Sequence, residues 1–237
     1  MADTQRYLVA GCTPWARRVF DSTLSKLPGE WVYADNLEHL VAAATVPEWQ
    51  PAYIFFLHWR WKVPKEIVEK YPCIGFHLGR FPDERGGSPL QWRILSGQSE
   101  ATLSMFRMTE QVDGGRIIAE RDRLPLHGAA EAVYARAMEA AADMIGSFLQ
   151  APEIHREWEQ EGEPYTYKRR APEDSRILDV PQFNTLEKVY DEIRCVDAEG
   201  YPRAFITYGG LRFEFDRAVL YDGRIKADVT ITEVAHD

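Results

Sequence analysis

The chain has 237 residues, enough for one sizeable α/β domain with a small appendage. Hydrophobic residues make up 45% and aromatics 12%, which excludes a disordered protein, and no apolar run approaches the roughly 20 residues a membrane span needs. With 28 Lys and Arg against 37 Asp and Glu, the net charge of −9 disfavours a nucleic-acid backbone as the main partner, because such binding needs a cationic face.

In chain order, YLVAGC (Tyr7–Cys12), WVYA (Trp31–Ala34), YIFFL (Tyr53–Leu57) and CIGFH (Cys73–His77) are short apolar or aromatic runs, as expected of strands buried on both faces. Between them lie amphipathic pieces of helical length. Residues 14–27 begin at Pro14 and repeat apolar positions at Trp15, Val19, Phe20, Leu24 and Leu27; Leu37–Ala44 and Pro64–Lys70 supply shorter helices. Alternation of strand and helix predicts an α/β fold with a parallel sheet and crossover helices. Pro89–Leu95 reads as a short helix, Thr102–Met108 as a strand, Arg116–Ala119 as another, and Ala129–Gln150 as a long alanine-rich helix. From Ala151 the composition shifts to Pro, Glu and Arg with little periodicity, which predicts connecting chain. A helix at Leu186–Arg194 and strands near Ala204–Thr207, Leu211–Phe215 and Lys226–Thr232, set apart by the turns YGG and YDGR, predict a mainly antiparallel β unit.

Ligands of open parallel sheets gather outside the carboxyl ends of the strands, and His77 ends a predicted strand. Asp113 lies in the tight turn Gln111-Val112-Asp113-Gly114-Gly115. A carboxylate accepting from an imidazole nitrogen would fix the ring's tautomer and hold it ready to exchange a proton near neutral pH. The first strand leads into GCTPWARR rather than a G-x-G-x-x-G turn, which argues against a dinucleotide site. Three scattered cysteines form no spaced pair, and no histidine spacing suggests a metal site. MADTQRYLVAG lacks the features of a signal peptide, so a cytoplasmic location is expected.

From Val63-Pro64 through CIGFHLGRFPDERGGSPLQWRILSGQSEATLSMFRMTEQVDGGRII, the sequence resembles the catalytic core of the folate-dependent formyltransferases acting on methionyl-tRNA, glycinamide ribonucleotide and nucleotide-sugar amines. The positions that carry the resemblance are His77, Pro82, Arg85-Gly86, Pro89, Trp92, Gly97, Ser104 in place of a Thr, and Asp113-x-Gly115. PYTYKRRAPEDS and IRCVDAEGYPRAF resemble the linker and C-terminal part of amine formyltransferases acting on activated sugars or aminoacyl groups. The resemblance implies a Rossmann-like formyltransferase domain at 1–150 with a mostly parallel central sheet, a linker at 151–180 and a small β-rich subdomain at 181–237.

It also implies that an amine attacks the formyl carbon of 10-formyltetrahydrofolate while an Asn and His77 donate to the oxyanion and Asp113 orients His77. One position departs: Gly75 stands where the family has that Asn. Losing one oxyanion donor costs about 3 kcal/mol. A backbone N–H, a water, Arg80 or Gln91 are candidate replacements, and a glycine there is expected to free volume beside His77. The resemblance places the folate against Trp61, Lys62 and Val63 on one side and Met108, Gln111 and Val112 on the other, with Trp59 and Trp61 as an aromatic wall. Arg80, Arg85, Lys168, Arg169 and Arg170 are candidates to meet a diphosphate or carboxylate of the acceptor, Arg85 having the rival role of pinning its own loop.

The expected acceptor is a small-molecule amine, an aminated nucleotide sugar first, since the chain is shorter than expected for one carrying a large tRNA-facing domain. Alternatives are a carrier-bound aminoacyl amine, hydrolysis of 10-formyltetrahydrofolate by water, and a non-catalytic folate-binding module. No metal is expected, and a homodimer is consistent with the family.

Overall fold

The computed structural model describes residues 4–177 and 185–234. The apolar runs become β1 (Arg6–Gly11), β2 (Glu30–Ala34), β3 (Tyr53–Leu57) and β4 (Cys73–Leu78), with α1 (Pro14–Ser22), α2 (Leu37–Thr45) and α3 (Lys65–Lys70) between them. β5 (Arg85–Gly86) and α4 (Pro89–Leu95) follow, then β6 (Glu100–Arg107), β7 (Ile117–Pro125), α5 (Ala130–Gln150) and β8 (Thr166–Tyr167). The central sheet runs β2-β1-β3-β4-β6-β7; β2, β1, β3 and β4 are parallel, and β6 enters antiparallel to β4. Leu8, Ile54, Phe55, Leu57 and Ile74 are fully buried in it. Burying a side chain of this kind contributes about 1.5–3 kcal/mol.

Local chemistry sets the helix ends. The Thr13 hydroxyl accepts from the Ala16 N–H at 3.4 Å and Pro14 occupies the first turn of α1; the Asn36 side chain accepts from the His39 N–H at 2.9 Å to start α2. The single helix expected over 14–27 is instead α1 followed by a 3₁₀ turn at Leu24–Lys26, because at Thr23 the backbone leaves helical geometry. The strand expected at Arg116–Ala119 runs longer, to Pro125.

In the C-terminal part, α6 (Leu186–Arg194) lies against a three-stranded antiparallel sheet of β9 (Ala204–Tyr208), β10 (Leu211–Tyr221) and β11 (Arg224–Glu233). β10 outruns its expected end at Phe215 by passing through a register shift between Asp216 and Val219. Two compact units are drawn from interleaved stretches: one from Met1–Gly86, Thr102–Leu124 and Tyr134–Thr166, the other from Gly87–Ala101, Pro125–Val133 and Tyr167–Asp237. The boundary expected near residue 180 lies outside the described residues. No helix among the described residues is long and apolar enough to cross a membrane.

Candidate active site

His77 stands at the carboxyl end of β4, buried at 8% exposure, its ring stacked on Phe81 with centroids 4.9 Å apart. Its Nε2 lies 2.5 Å from the Glu84 carbonyl, which can only accept, so Nε2 carries a proton. That leaves Nδ1 as the ring position open to proton exchange, and Nδ1 faces Asp113 Oδ2 at 3.7 Å. The expected pairing of His77 with Asp113 is present as a 3.7 Å approach rather than a closed hydrogen bond. His77 was expected to donate to an oxyanion; its Nε2 proton is given to the Glu84 carbonyl instead. Ser104, paired with His77 across β6, donates to the Gly79 carbonyl at 2.7 Å and so pins the loop that begins beyond β4.

Asp113 has a left-handed backbone, φ 54°, and its Oδ2 accepts from the Gly86 N–H at 2.9 Å. The Asp-x-Gly spacing has a steric cause at its third residue. A Cβ on Gly115 would fall 1.7 Å from the Arg107 carbonyl oxygen, so only glycine lets the turn close onto the end of β6. Arg85 points both Nε and Nη2 at Gln160 Oε1, 2.9 and 2.6 Å away. Its guanidinium is thus engaged with a segment 75 residues further along the chain, rather than with its own Gly-rich turn as the rival reading had it.

Gly75 shares a face of β4 with His77 and pairs with Phe106 on β6. The volume expected to be open there is filled. A Cβ on Gly75 would lie 2.8 Å from Cε1 and Cζ of Phe106 and 3.1 Å from Cγ of Met108. Phe106 is buried with Phe81 and Ile117, so an apolar wall replaces the polar donor beside His77. The proposed substitutes for that donor are engaged too: Arg80 bonds Asp122 Oδ1 at 2.5 Å, and Gln91 Nε2 donates to the Cys195 carbonyl at 3.0 Å within the second unit.

The two segments expected to hold a folate are brought together. Val63 is buried in a cluster against which Trp59 and Met108 pack, and Lys65 Nζ reaches Glu110 Oε1 at 2.7 Å. Trp61 is 38% exposed and meets Trp59 edge-on with centroids 4.8 Å apart. Lys62, Gln111 and Val112 are exposed. The Trp59 Nε1 is buried and has no hydrogen-bond partner among the described residues. An indole N–H so placed is an unsatisfied buried donor, closed off from solvent.

Of the five candidate acceptor cations, three are committed. Besides Arg80 and Arg85, Arg170 is 9% exposed in its side chain, pairs with Glu192 at 3.4 Å and bonds the Asp174 carbonyl, so burial rather than ligand contact accounts for it. Burial raises the Glu192 carboxyl above the ordinary carboxylate value, with Arg170 opposing. Lys168 and Arg169 are exposed on the second unit. No group of three or more His, Cys, Asp or Glu side chains suited to a metal occurs among the described residues. Phe106, Glu84 and Gln160 were not foreseen. Phe106 needed the β4–β6 register to be known, and Gln160 sits in a stretch without periodicity.

An imidazole nitrogen 3.7 Å from a carboxylate, at the carboxyl end of β4 in a mostly parallel sheet, is an arrangement able to take up and pass on a proton. Residues 172–232 match the family model of the methionyl-tRNA formyltransferase C-terminal domain. A solved methionyl-tRNA formyltransferase from Clostridium thermocellum is 38% identical, with 97% of this chain and 99% of that one covered and a TM-score of 0.82. HypX from Aquifex aeolicus, solved in complex with tetrahydrofolic acid, is 19% identical over 91% of this chain and 38% of that one, TM-score 0.72. A sugar N-formyltransferase from Shewanella is 15% identical, with 98% and 99% covered and a TM-score of 0.61. The chain belongs to the formyltransferase family of enzymes. Length does not separate acceptors as expected, because a protein described as acting on methionyl-tRNA is covered almost end to end.

Proposed function

We propose that the protein moves the formyl group of 10-formyltetrahydrofolate to a primary amine, with Nδ1 of His77 and the Asp113 carboxylate taking up and passing on the amine proton. The observation that carries this reading is the 3.7 Å approach of those two groups, both largely withdrawn from water, with Nε2 of the ring already committed. In a water-poor site a proton released at nitrogen needs a paired acceptor, and a carboxylate beside an imidazole is one. Trp59, Val63 and Met108 form the folate-side wall, by packing rather than by side-chain hydrogen bonds. Trp61, Lys62, Gln111 and Val112 flank it.

For the acceptor, an amine on a small nucleotide-linked sugar agrees with the net charge of −9 and with the sugar N-formyltransferases of like fold. Lys168 and Arg169 are then the cations left to meet its phosphates. A second reading, an aminoacyl amine carried by tRNA, is favoured by the relative from Clostridium thermocellum. Incubating the protein and formyl donor with each acceptor, and reading the mass gained, decides between them. One formyl group on the sugar nucleotide supports the first; formylation of charged tRNA alone overturns it. Formyl donor consumed at full rate without any amine would instead mark a hydrolase.

A further inference from the structure

We infer that Gln160 is a positioning residue that holds Asp113 in its working place; the inference rests on the reading of His77 and Asp113 as the proton-handling pair. All four hydrogen-bonding positions of the Gln160 amide are filled. Oε1 accepts from Nε and Nη2 of Arg85 at 2.9 and 2.6 Å, and Nε2 donates to the carbonyls of Asp113 and Gly115 at 2.9 and 2.7 Å. The two ends of the amide cannot be exchanged, since a guanidinium only donates and a peptide carbonyl only accepts.

One side chain thereby ties the loop after β4 to the turn that carries the carboxylate. The same two segments meet again at the bond from the Gly86 N–H to Asp113 Oδ2, one residue from Arg85. Asp113 is left-handed, a conformation that aspartate tolerates better than most residues, so the bonds around it rather than strain set its place. Gln160 fixes the peptide carbonyl on one side of Asp113 while Gly86 fixes the side chain. Rotation of that peptide would carry the carboxylate away from both Gly86 and His77.

Gln160 is itself held firmly. Ile117 and Trp158 exchange N–H···O bonds of 2.9 and 3.0 Å, Arg107 pairs with Glu157, and Arg116 pairs with Glu159 at 2.6 Å. Residues 157–160, which read as mere connecting chain, form a strap along the start of β7.

The test compares Gln160→Ala, Gln160→Glu, Asp113→Asn and the double variant Gln160→Ala/Asp113→Asn for formyl transfer across pH. In Gln160→Ala, kcat is expected to fall about 10–100-fold with each KM changed less than about twofold, since small misplacement of a reacting group costs this much. The pH profile moves, hydrogen exchange at the Gly86 amide quickens, and no further loss appears in the Asp113→Asn background, where the residue acted through is already altered. Gln160→Glu keeps an acceptor for Arg85 but turns an oxygen toward two carbonyls, and matches Gln160→Ala. Full kcat in Gln160→Ala, or losses that multiply in the double variant, overturns the positioning role while leaving the catalytic pair intact. An Asp113→Asn enzyme of full activity overturns the catalytic reading, and this inference with it. Should the alanine variant fail to fold, Gln160→Met, which keeps the side-chain volume, replaces it with the same outcomes.

Discussion

Phe106 occupies the space that a side chain on residue 75 would enter: a Cβ on Gly75 would lie 2.8 Å from two of its ring carbons. Phe106 has 5% exposure and meets Phe81 edge-on at 5.0 Å, so its ring has little room to yield. Glycine at 75 and phenylalanine at 106 are thus one steric decision rather than two. Gly75→Asn is expected to destabilise by about 1–3 kcal/mol through overpacking. Phe106→Ala alone should cost about 3–5 kcal/mol by opening a cavity. Combining the two lets the amide fill part of that cavity, so the double variant should be more stable than Phe106→Ala. Urea unfolding of the three variants checks this, and a Gly75→Asn protein as stable as the parent contradicts the packing account.

Trp59→Phe keeps an aromatic ring and removes the buried indole N–H that has no hydrogen-bond partner among the described residues. Removing an unsatisfied buried donor should leave thermal stability unchanged or slightly higher. With Trp59 in the wall by packing, KM for the formyl donor should stay unchanged; were that N–H bound to the folate edge, KM would rise by roughly 3–10-fold, the worth of one ordinary hydrogen bond. A rise of that size would contradict the packing role.

The acceptor cations divide by their present commitments. Arg80→Ala breaks an exposed pair with Asp122, which is worth at most about 1 kcal/mol, and should leave the acceptor KM where it was. Lys168→Ala and Arg169→Ala should each raise that KM by about 10-fold or more if they meet phosphate oxygens, as charge-assisted bonds do. Steady-state kinetics with the acceptor varied separates the two groups, and equal effects at all three positions would count against the assignment.

Arg170 and Glu192 give a pH signature. Because burial raises the folded-state pKa of Glu192 above its unfolded value, the folded protein binds this proton more tightly, so stability gains as pH falls from neutral through the raised pKa. Below the ordinary value near 4.5 both states hold the proton and the gain levels off. Arg170→Met strands the carboxylate and should cost about 3 kcal/mol at neutral pH. That penalty shrinks on acidification, as protonation discharges Glu192. Chemical denaturation at a series of pH values tests it; a penalty independent of pH would mean the pair is not felt as a charge.

Much of the sheet was legible because each buried strand is a compact apolar run, and Tyr53–Leu57, Pro89–Leu95 and Leu186–Arg194 are the segments where expectation and structure agree end to end. What could not be read was lateral. Nothing around Gly75 announces that Phe106 lies opposite, since register follows from how β6 enters the sheet. The commitments of Arg80, Arg85 and Arg170 were equally hidden: a cation's sequence neighbours do not reveal a carboxylate or amide brought in from far along the chain. His77 and Asp113 were visible because strand end and turn each leave a local mark. Gln160 leaves none, as its place depends on a strap whose bonds are all to distant residues.

The unit that houses His77 and Asp113 is completed only at Thr166, after the chain has twice left it for the other unit. During synthesis, a nascent chain that has reached Gln150 already contains β4, the Asp113 turn and α5, yet has no Trp158 to edge β7 and no Gln160 to grip the turn. A chain cut short of residue 160 would therefore carry His77 and Asp113 but none of the bonds by which Gln160 holds the Asp113 turn.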